Sequence, residues 1–559
     1  MTVAGLESAT LPALFAARVA QSPHAPAYSG FEQGTWRRFT WAEAQLEVNR
    51  MREGLARAGL KPGDRVGLCA YNSPQWVFAD VAALSLGLTV VPLFFNDRPE
   101  NTAYCLKDAG VRLLLVDRPP APEVLACDLK AVLGLKDVPG VVSWDQDLGR
   151  CDTHEFVDQS CPLATIVYTS GTTGRPKGVM LSHANIMANV AALMEAIPEV
   201  AAGEHRFLSF LPLSHMLERT VGQYVAMAMG AETVFSRGIA ELSTDLKAAR
   251  PTILVSVPKI FERSYTRIQE GLKDAPWKAR LVARAADLGF RRRYGSLDWT
   301  ERLEARLTDL LVARSVRRRL GGRLRFVFLG GAPAAPSLLS FFTGMGLRFL
   351  IGYGLTEASP VITCHRFNDC DLRSVGRPLA GLELRFVNDE LWVRGPSIMQ
   401  GYWNQPQATS EVLDSEGFLH TGDLGRLQDG LLYLTGRAKD IIVLSNGEKV
   451  APADVEQAIL QDLAFEQALI VGEGRGTLAL LAHSAITDEQ ILRERANAQL
   501  HAFPGYVRVQ HVLRVQEPWT IENGLLTPTL KVRRQQVEQC YQAQIDALYR
   551  KSDPGAARP

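Results

Sequence analysis

The segment YTSGTTGRPKG at 168–178 gathers the hydroxyls of Thr169, Ser170, Thr172 and Thr173, the side-chain-free Gly171 and the Lys177 ammonium into one short loop. Hydroxyl and backbone N–H donors around a cation suit a polyphosphate, whose oxygens only accept hydrogen bonds and whose charge must be offset. The loop is not a Walker A motif, because Pro176 precedes the lysine and Gly178 follows it, where that motif needs Gly-Lys-Ser/Thr at a helix start. A polar surface turn is the plain alternative, and the order of the residues argues against it. Other chemistry-bearing positions follow along the chain: His215 in LPLSHMLER at 211–219, Gly331, Ala332 and Pro333 in FLGGAPAAP at 328–336, and Tyr353, Gly354, Thr356 and Glu357 in GYGLTEAS at 352–359. Asp423 lies in HTGDLG at 420–425, Arg437, Lys439 and Gly447 in GRAKDIIVLSNGEKVAP at 436–452, and Lys531 in NGLLTPTLKVRR at 523–534. Each has a plain reading of its own: a packed tyrosine, a helix N-terminal charge at Glu357, a turn cap at Asp423, a core histidine at 215.

Such residues need rigid elements to hold them. Apolar runs at 64–69, 113–116, 164–169, 253–257, 324–329 and 347–352 alternate with helix-length amphipathic segments, the pattern of α/β architecture with parallel sheets. Near 381 the rhythm changes to closely spaced strands with glycine turns, which predicts a small antiparallel or barrel-like subdomain, and a fresh α+β unit begins after Arg437. The apolar run at 77–95 is broken by Asp80, Ser85, Gly87 and Pro92, so it reads as a buried helix leading into a strand at 89–93 rather than as a membrane span. The first residues, with Glu7 and no basic region before an apolar core, read as an amphipathic helix and not as a secretory signal.

A chain of 559 residues implies two to four domains, and 61 Lys+Arg against 60 Asp+Glu leaves a net charge of +1. That balance argues against a nucleic-acid binder held by phosphate contacts. Eight cysteines form no CxxC pair, which fits a reducing, cytoplasmic compartment; Cys364, His365 and Cys370 lack the second half-site that structural zinc requires.

Taken together and in this order, the motifs resemble the adenylate-forming superfamily of acyl-CoA synthetases, luciferases and adenylation domains. A carboxylate is a poor electrophile, and conversion to an acyl-adenylate supplies a phosphate leaving group. The resemblance implies ATP, Mg2+ and coenzyme A. It gives Thr169, Ser170, Gly171, Thr172, Thr173 and Lys177 to the β- and γ-phosphates, and Tyr353, with Gly354 beside it, to the adenine, which Gly331, Ala332 and Pro333 line from the other side. It gives Thr356 to the α-phosphate, Glu357 and Thr169 to the metal, Asp423 and Arg437 to the ribose, and His215 to the neighbourhood of the acyl carboxylate. Lys531 would be the catalytic lysine, Lys439 the hinge, and Gly447 an opening for pantetheine. The implied domains are 1–436 (AMP-binding), 437–440 (hinge) and 441–546 (mobile C-terminal unit), with a frayed tail at 547–559.

The form of the 523–534 motif, SVPKIFERSYTRI at 256–268 and SHMLER resemble the long-chain fatty acyl-CoA synthetase branch. An acyl-AMP ligase loading a carrier protein, a medium-chain or other carboxylic acid CoA ligase, and a non-catalytic binder are the alternatives. Met227 and Met229, in a helix expected over 221–235, are ordinary core on spacing and acyl-channel lining by resemblance. The arginine-rich run at 314–325 is a solvated helix face by default, with an anionic membrane surface or CoA phosphates as functional readings. Small-molecule partners, no nucleic acid, and a cytoplasmic enzyme with peripheral membrane contact at most are thereby expected.

Overall fold

The computed structural model describes residues 6–146, 158, 161–169, 175–462, 464–527 and 531–552. Two large sheets dominate the N-terminal part. One has eight strands in the order Gly401–Tyr402, Lys177–Ser182, Leu163–Thr169, Thr89–Pro92, Arg65–Cys69, Val111–Val116, Ala131–Gly134 and Val142–Ser143. Its pairings are parallel from Leu163–Thr169 onward. The other has nine strands, with a parallel centre from Arg348–Gly354 through Phe326–Leu329, Ile253–Ser256, Arg206–Ser209 and Glu232–Phe235 to Pro26–Glu32. Strands covered on both faces read in the sequence as short continuous apolar runs, and each run named above became one of these strands.

The sheets share one core. Val66, Leu68 and Val90 from the first pack in the same cluster as Phe207, Ile253, Val255 and Leu350 from the second. Helix Pro74–Ser85, buried everywhere except at Gln75, lies in that core, and so does the π-helical stretch Glu218–Val225, buried along its whole length. A helix apolar nearly all round belongs between layers. Arg219 pairs there with Asp80 and donates to Thr165 at 2.8 Å, and the Tyr224 hydroxyl donates to Asp80 at 2.6 Å.

Three expectations are corrected. The segment at 381–437 is not barrel-like: Glu383–Val387, Glu390–Arg394, Leu419–Gln428 and Leu431–Arg437 form an open four-stranded antiparallel sheet, whose first and last strands do not pair. The helix expected over 221–235 is the end of the π-helical stretch and a short Ala226–Met229 turn, stopped by Gly230 at φ 69°, after which Glu232–Phe235 is a strand. Gly230 supplies a left-handed conformation that a side chain resists. Arg18 of the N-terminal helix Leu11–Gln21 donates to the Met227 carbonyl at 3.0 Å, and Met227 packs in the shared core. The tail expected from 547 begins within helix Arg534–Ser552, which therefore extends the C-terminal unit, and 553–559 lie outside the described residues.

That unit holds a three-stranded sheet, Gln467–Val471, Leu478–His483 and Val509–Val515, with helices Pro452–Ile459, Glu489–Gln499 and Arg534–Ser552. Its own apolar cluster, from Ile442 to Val512, is separate from the N-terminal cores. Among the described residues no helix is long and apolar enough to cross a membrane.

Candidate active site

In open α/β sheets the strand ends at the carboxyl side present loops and free backbone groups to ligands. Three such ends carry the sequence motifs: Leu163–Thr169 leads into the hydroxyl-rich loop, Phe326–Leu329 into Gly331, and Arg348–Gly354 ends on Tyr353 and Gly354. Gly354 cannot be replaced cheaply, because a Cβ there would sit 1.8 Å from the Pro360 carbonyl oxygen. Gly331, at φ 84°, Ala332 and Pro333 are exposed beside this strand end. Thr169 is half-buried at its strand end, whereas Ser170, Gly171, Thr172 and Thr173 lie outside the described residues.

Thr356 and Glu357 form a single 3-10 turn, Thr356–Ala358. The short strand Gly401–Tyr402 ties that turn to the phosphate-loop strand: Met399 N–H donates to the Glu357 carbonyl at 2.8 Å, and Tyr402 pairs with Val179. As a result the Tyr402 hydroxyl donates to Glu357 Oε1 at 2.9 Å while Lys177 Nζ stands 4.9 Å from the centre of the Tyr402 ring. Burial raises the Glu357 carboxyl above its ordinary value, with the Tyr402 bond, Arg437 and Lys177 opposing. Tyr402 was not foreseen, since a Gly-Tyr pair in a sequence looks like packing and the strand pairing that gives it a role is long-range.

Asp423 and Arg437 lie on adjacent antiparallel strands joined by a tight turn at Asp429 and Gly430, both with positive φ, 54° and 76°, as a two-residue hairpin requires. The Arg437 Nε donates to Asp423 Oδ1 at 2.7 Å and the Tyr353 hydroxyl to Asp423 Oδ2 at 2.6 Å. Burial and the neighbouring Asp423 push the Tyr353 phenol far above its usual value. Burial alone would lower the Arg437 guanidinium, but Asp423 raises it.

Lys531 reaches this centre from the C-terminal unit. Thr527 brackets it, its N–H donating to the Lys531 carbonyl at 2.8 Å and its hydroxyl accepting from the Lys531 N–H at 3.0 Å. Lys531 keeps exposed surface; desolvation by the surrounding protein still lowers the ammonium pKa, Arg437 lowers it further, and Asp423 opposes. His215 feels the same lysine: burial and the Lys531 charge push its imidazole down to about 4. Its Nδ1 accepts from Leu217 N–H at 3.2 Å, so the neutral ring carries its proton on Nε2. Beyond it Glu218 is fully buried, and burial pushes its carboxyl up to about 8.

The structure thus brings Lys177, Tyr353, Glu357, Asp423, Arg437, His215 and Lys531 into one electrostatically coupled centre. Gly447 stands apart, at φ 86° in the exposed turn between Ile442–Val443 and Lys449–Val450, and Lys439 is exposed two residues beyond Arg437.

Comparisons with known proteins bear on the family and the fold. A family model described as AMP-binding enzyme matches residues 15–403, and one described as AMP-binding enzyme C-terminal domain matches 439–553. Similar relatives include the long-chain-fatty-acid–CoA ligase FadD15 of Mycobacterium bovis, 32% identical over 94% of each chain. Another is the peroxisomal long chain acyl-CoA synthetase 6 of Arabidopsis thaliana, 31% identical over 94% of this chain and 84% of that one. Among solved structures, the A-PCP didomain of carboxylic acid reductase from Segniliparus rugosus, in complex with AMP, has the same fold at a TM-score of 0.79 and 21% identity, covering 98% of this chain and 84% of that one. The two domain matches, the relatives along nearly the whole length and the motif residues converging at the strand ends lead to one assignment: the chain belongs to the AMP-binding enzyme family.

Proposed function

We propose that the protein is an ATP-dependent fatty acyl-CoA synthetase acting on long-chain acids. The observation that carries the reading is the placement of Lys531 from the C-terminal unit beside Asp423 and Arg437, at the strand ends that also hold Glu357 and His215. The long-chain assignment is supported by the names of the relatives and by the form of the 523–534 motif.

In the first half-reaction a carboxylate oxygen of the acid attacks the α-phosphorus of ATP, and pyrophosphate leaves. Lys531 offsets the charge that builds between carboxylate and phosphate, which a preorganised cation does most effectively in a site shielded from water. Asp423 has lone pairs left over after binding Tyr353 and Arg437, and these accept the ribose hydroxyls. With its hydroxyl held by Asp423, Tyr353 offers a ring face to the adenine. Neutral His215 adds no charge, and its Nε2–H is a donor for the acid's carboxylate. In the second half-reaction the CoA thiol releases its proton to solvent, sulfur attacks the acyl carbonyl carbon to form the thioester, and the bond from that carbon to the phosphate oxygen breaks so that AMP leaves.

Glu357 and the Thr169 hydroxyl fit a magnesium ion. Among the described residues no cluster of three or more acidic, histidine or cysteine side chains exists that could enclose a metal. One carboxylate with phosphate oxygens and water is the arrangement that Mg2+ favours. The ion supplies charge neutralisation on the phosphates when bound.

Pyrophosphate, AMP and acyl-CoA measured over acids from acetate to C20 test the reading. The best kcat/KM is expected at roughly C12 to C18, since each buried CH₂ contributes up to about 0.8 kcal/mol. An optimum at acetate or a benzoate, or AMP release that needs a carrier protein in place of CoA, would overturn it.

A further inference from the structure

Of the large apolar side chains that the surface exposes, an unusual share falls on one short segment. Helix Trp299–Thr308, the π-helical turn Asp309–Ala313 and helix Arg314–Arg319 run on without a break. Trp299 is 78% exposed, Leu303 56%, Leu307 54%, Leu310 56% and Leu311 66%. The i, i+4, i+8 spacing puts the first three on one stripe, and the next two continue it across the π-helical turn. The helix start is fixed independently of any partner: Asp298 caps it through the Glu301 N–H, and Glu301 returns the bond.

Charge is sorted around this stripe. The acidic residues of the segment are neutralised by pairing, Glu301 by Arg291 at 2.6 Å, Glu304 by Arg284 at 2.8 Å and Asp309 by Arg317 at 2.8 Å. Arg302, Arg306, Arg314, Arg318 and Arg319 are exposed, and the ion pairs of the segment among the described residues do not involve them. The outward face is therefore tryptophan, leucine and arginine on a chain whose net charge is only +1. Arg317, within the basic run, is used structurally, donating also to the Met345 carbonyl at 3.0 Å.

We infer that this segment, residues 299–319, is a docking surface for an anionic phospholipid bilayer, lying in the plane of the interface with the Trp299–Leu311 stripe in the headgroup–acyl boundary and the arginines on lipid phosphates. The segment is about 30 Å long, enough to lie along a surface and too polar to cross one. Tryptophan at its edge suits the headgroup level, where one side of the ring is apolar and the other wet. A second copy of the chain fits poorly, because a two-fold contact would oppose two sets of unpaired arginines with no acid between them. The surface also has a use under the long-chain reading proposed above, since such acids partition into bilayers, but binding itself does not depend on that reading.

The test is co-sedimentation of the full chain with lipid vesicles, without acid, ATP or CoA, so that failure here is distinct from failure of the enzymatic assignment. Vesicles with about a third phosphatidylglycerol are expected to bind at least about tenfold more tightly than pure phosphatidylcholine, and salt should weaken the difference. Leu303→Ser/Leu307→Ser/Leu311→Ser and, separately, Arg302→Gln/Arg306→Gln/Arg318→Gln should each lose about tenfold in binding. Both should keep AMP formation from a water-soluble acid within about twofold of wild type, since every substituted side chain is exposed. Equal binding to both vesicle types, or undiminished binding by either triple variant, would overturn the proposal. So would a wild-type dimer in solution that the leucine substitutions disperse while vesicle binding is absent.

Discussion

Asp423 and Arg437 sit directly opposite each other only because the strand Leu431–Arg437 carries one extra residue. From the hairpin turn the pairing runs Gln428 with Leu431 to Gly425 with Leu434, and then shifts so that Leu424 meets Gly436 and Asp423 meets Arg437. Thr435 is the residue passed over. Without that bulge the carboxylate would face Gly436, and the 2.7 Å contact to the guanidinium would not form at the same strand position. This pair sets the field at Lys531, where Arg437 repels the ammonium and Asp423 holds it.

Lys531 is expected to matter for one half-reaction far more than for the other. Lys531→Ala should slow adenylation, read as pyrophosphate release, about a hundredfold or more, while thioester formation from supplied acyl-adenylate and CoA changes little. The cationic form is the useful one and its pKa is lowered, so adenylation should fall as pH rises through a value below that of ordinary lysine. Lys531→Arg, which stays charged, should flatten that alkaline limb even if its rate is lower. Equal loss of both half-reactions in Lys531→Ala would make the residue structural.

Tyr402 links Lys177 to Glu357, so its hydroxyl should influence how the metal and phosphates are held. Tyr402→Phe keeps the ring near Lys177 but removes the 2.9 Å bond to Glu357. The apparent KM for Mg-ATP is expected to rise about three- to tenfold, a single hydrogen bond to a carboxylate being lost, with the acid's KM unchanged. Glu357→Ala should abolish pyrophosphate and AMP formation altogether. An unchanged Mg-ATP profile in Tyr402→Phe would leave the tyrosine a packing residue.

Much of this was legible beforehand, for identifiable reasons. Parallel strands buried on both faces betray themselves as apolar runs, and Thr169, Tyr353 and Gly354 stand at strand ends because their motifs directly follow those runs. The Asp429–Gly430 turn is also a readable hairpin signal. The bulge at Thr435, the short strand at Tyr402 and the π-helical geometry at Glu218–Val225 were not legible, since each depends on pairing or packing with residues remote in the chain. Of the two readings of 383–437, antiparallel or barrel-like, the structure has the antiparallel one without closure; alternating short strands carry no information about closure.

Glu218 gives a stability signature with a definite sign. Its folded-state pKa of about 8 is raised above that of an exposed glutamate, so between these values the folded protein binds the extra proton and loses stability as pH rises. From pH 7 to pH 9 the loss is about 1 kcal/mol. Glu218→Gln, a neutral replacement of nearly the same shape, should remove that part of the slope. Urea midpoints of the N-terminal transition at the two pH values measure it, and parallel slopes for wild type and variant would show that Glu218 is already ionised at neutral pH.

Lys439 is the remaining candidate for a mechanical role. Lys531 stands within the field of Asp423 and Arg437, the placement that the proposed adenylation step uses, yet under the same proposal the thiol of CoA must later reach the same acyl carbon. The backbone around 439 is a tight turn, with Ala438 N–H bonded to the Gly422 carbonyl and both Asp440 and Ile441 N–H groups to the Arg437 carbonyl. Lys439 itself is exposed, so packing of its own side chain does not oppose rotation. Turning the C-terminal unit about this point would withdraw Lys531 and could bring the exposed Gly447 turn to the adenylate. Proline fixes φ near −65° and restricts the preceding Ala438 as well, so it should block whichever conformer needs another value. Lys439→Pro is expected to retain substantial pyrophosphate release while thioester formation from supplied acyl-adenylate falls at least about tenfold. Lys439→Ala, which removes the charge without restricting φ, should leave both steps near wild type. If the proline variant keeps both half-reactions within about twofold, the pivot lies elsewhere in the segment.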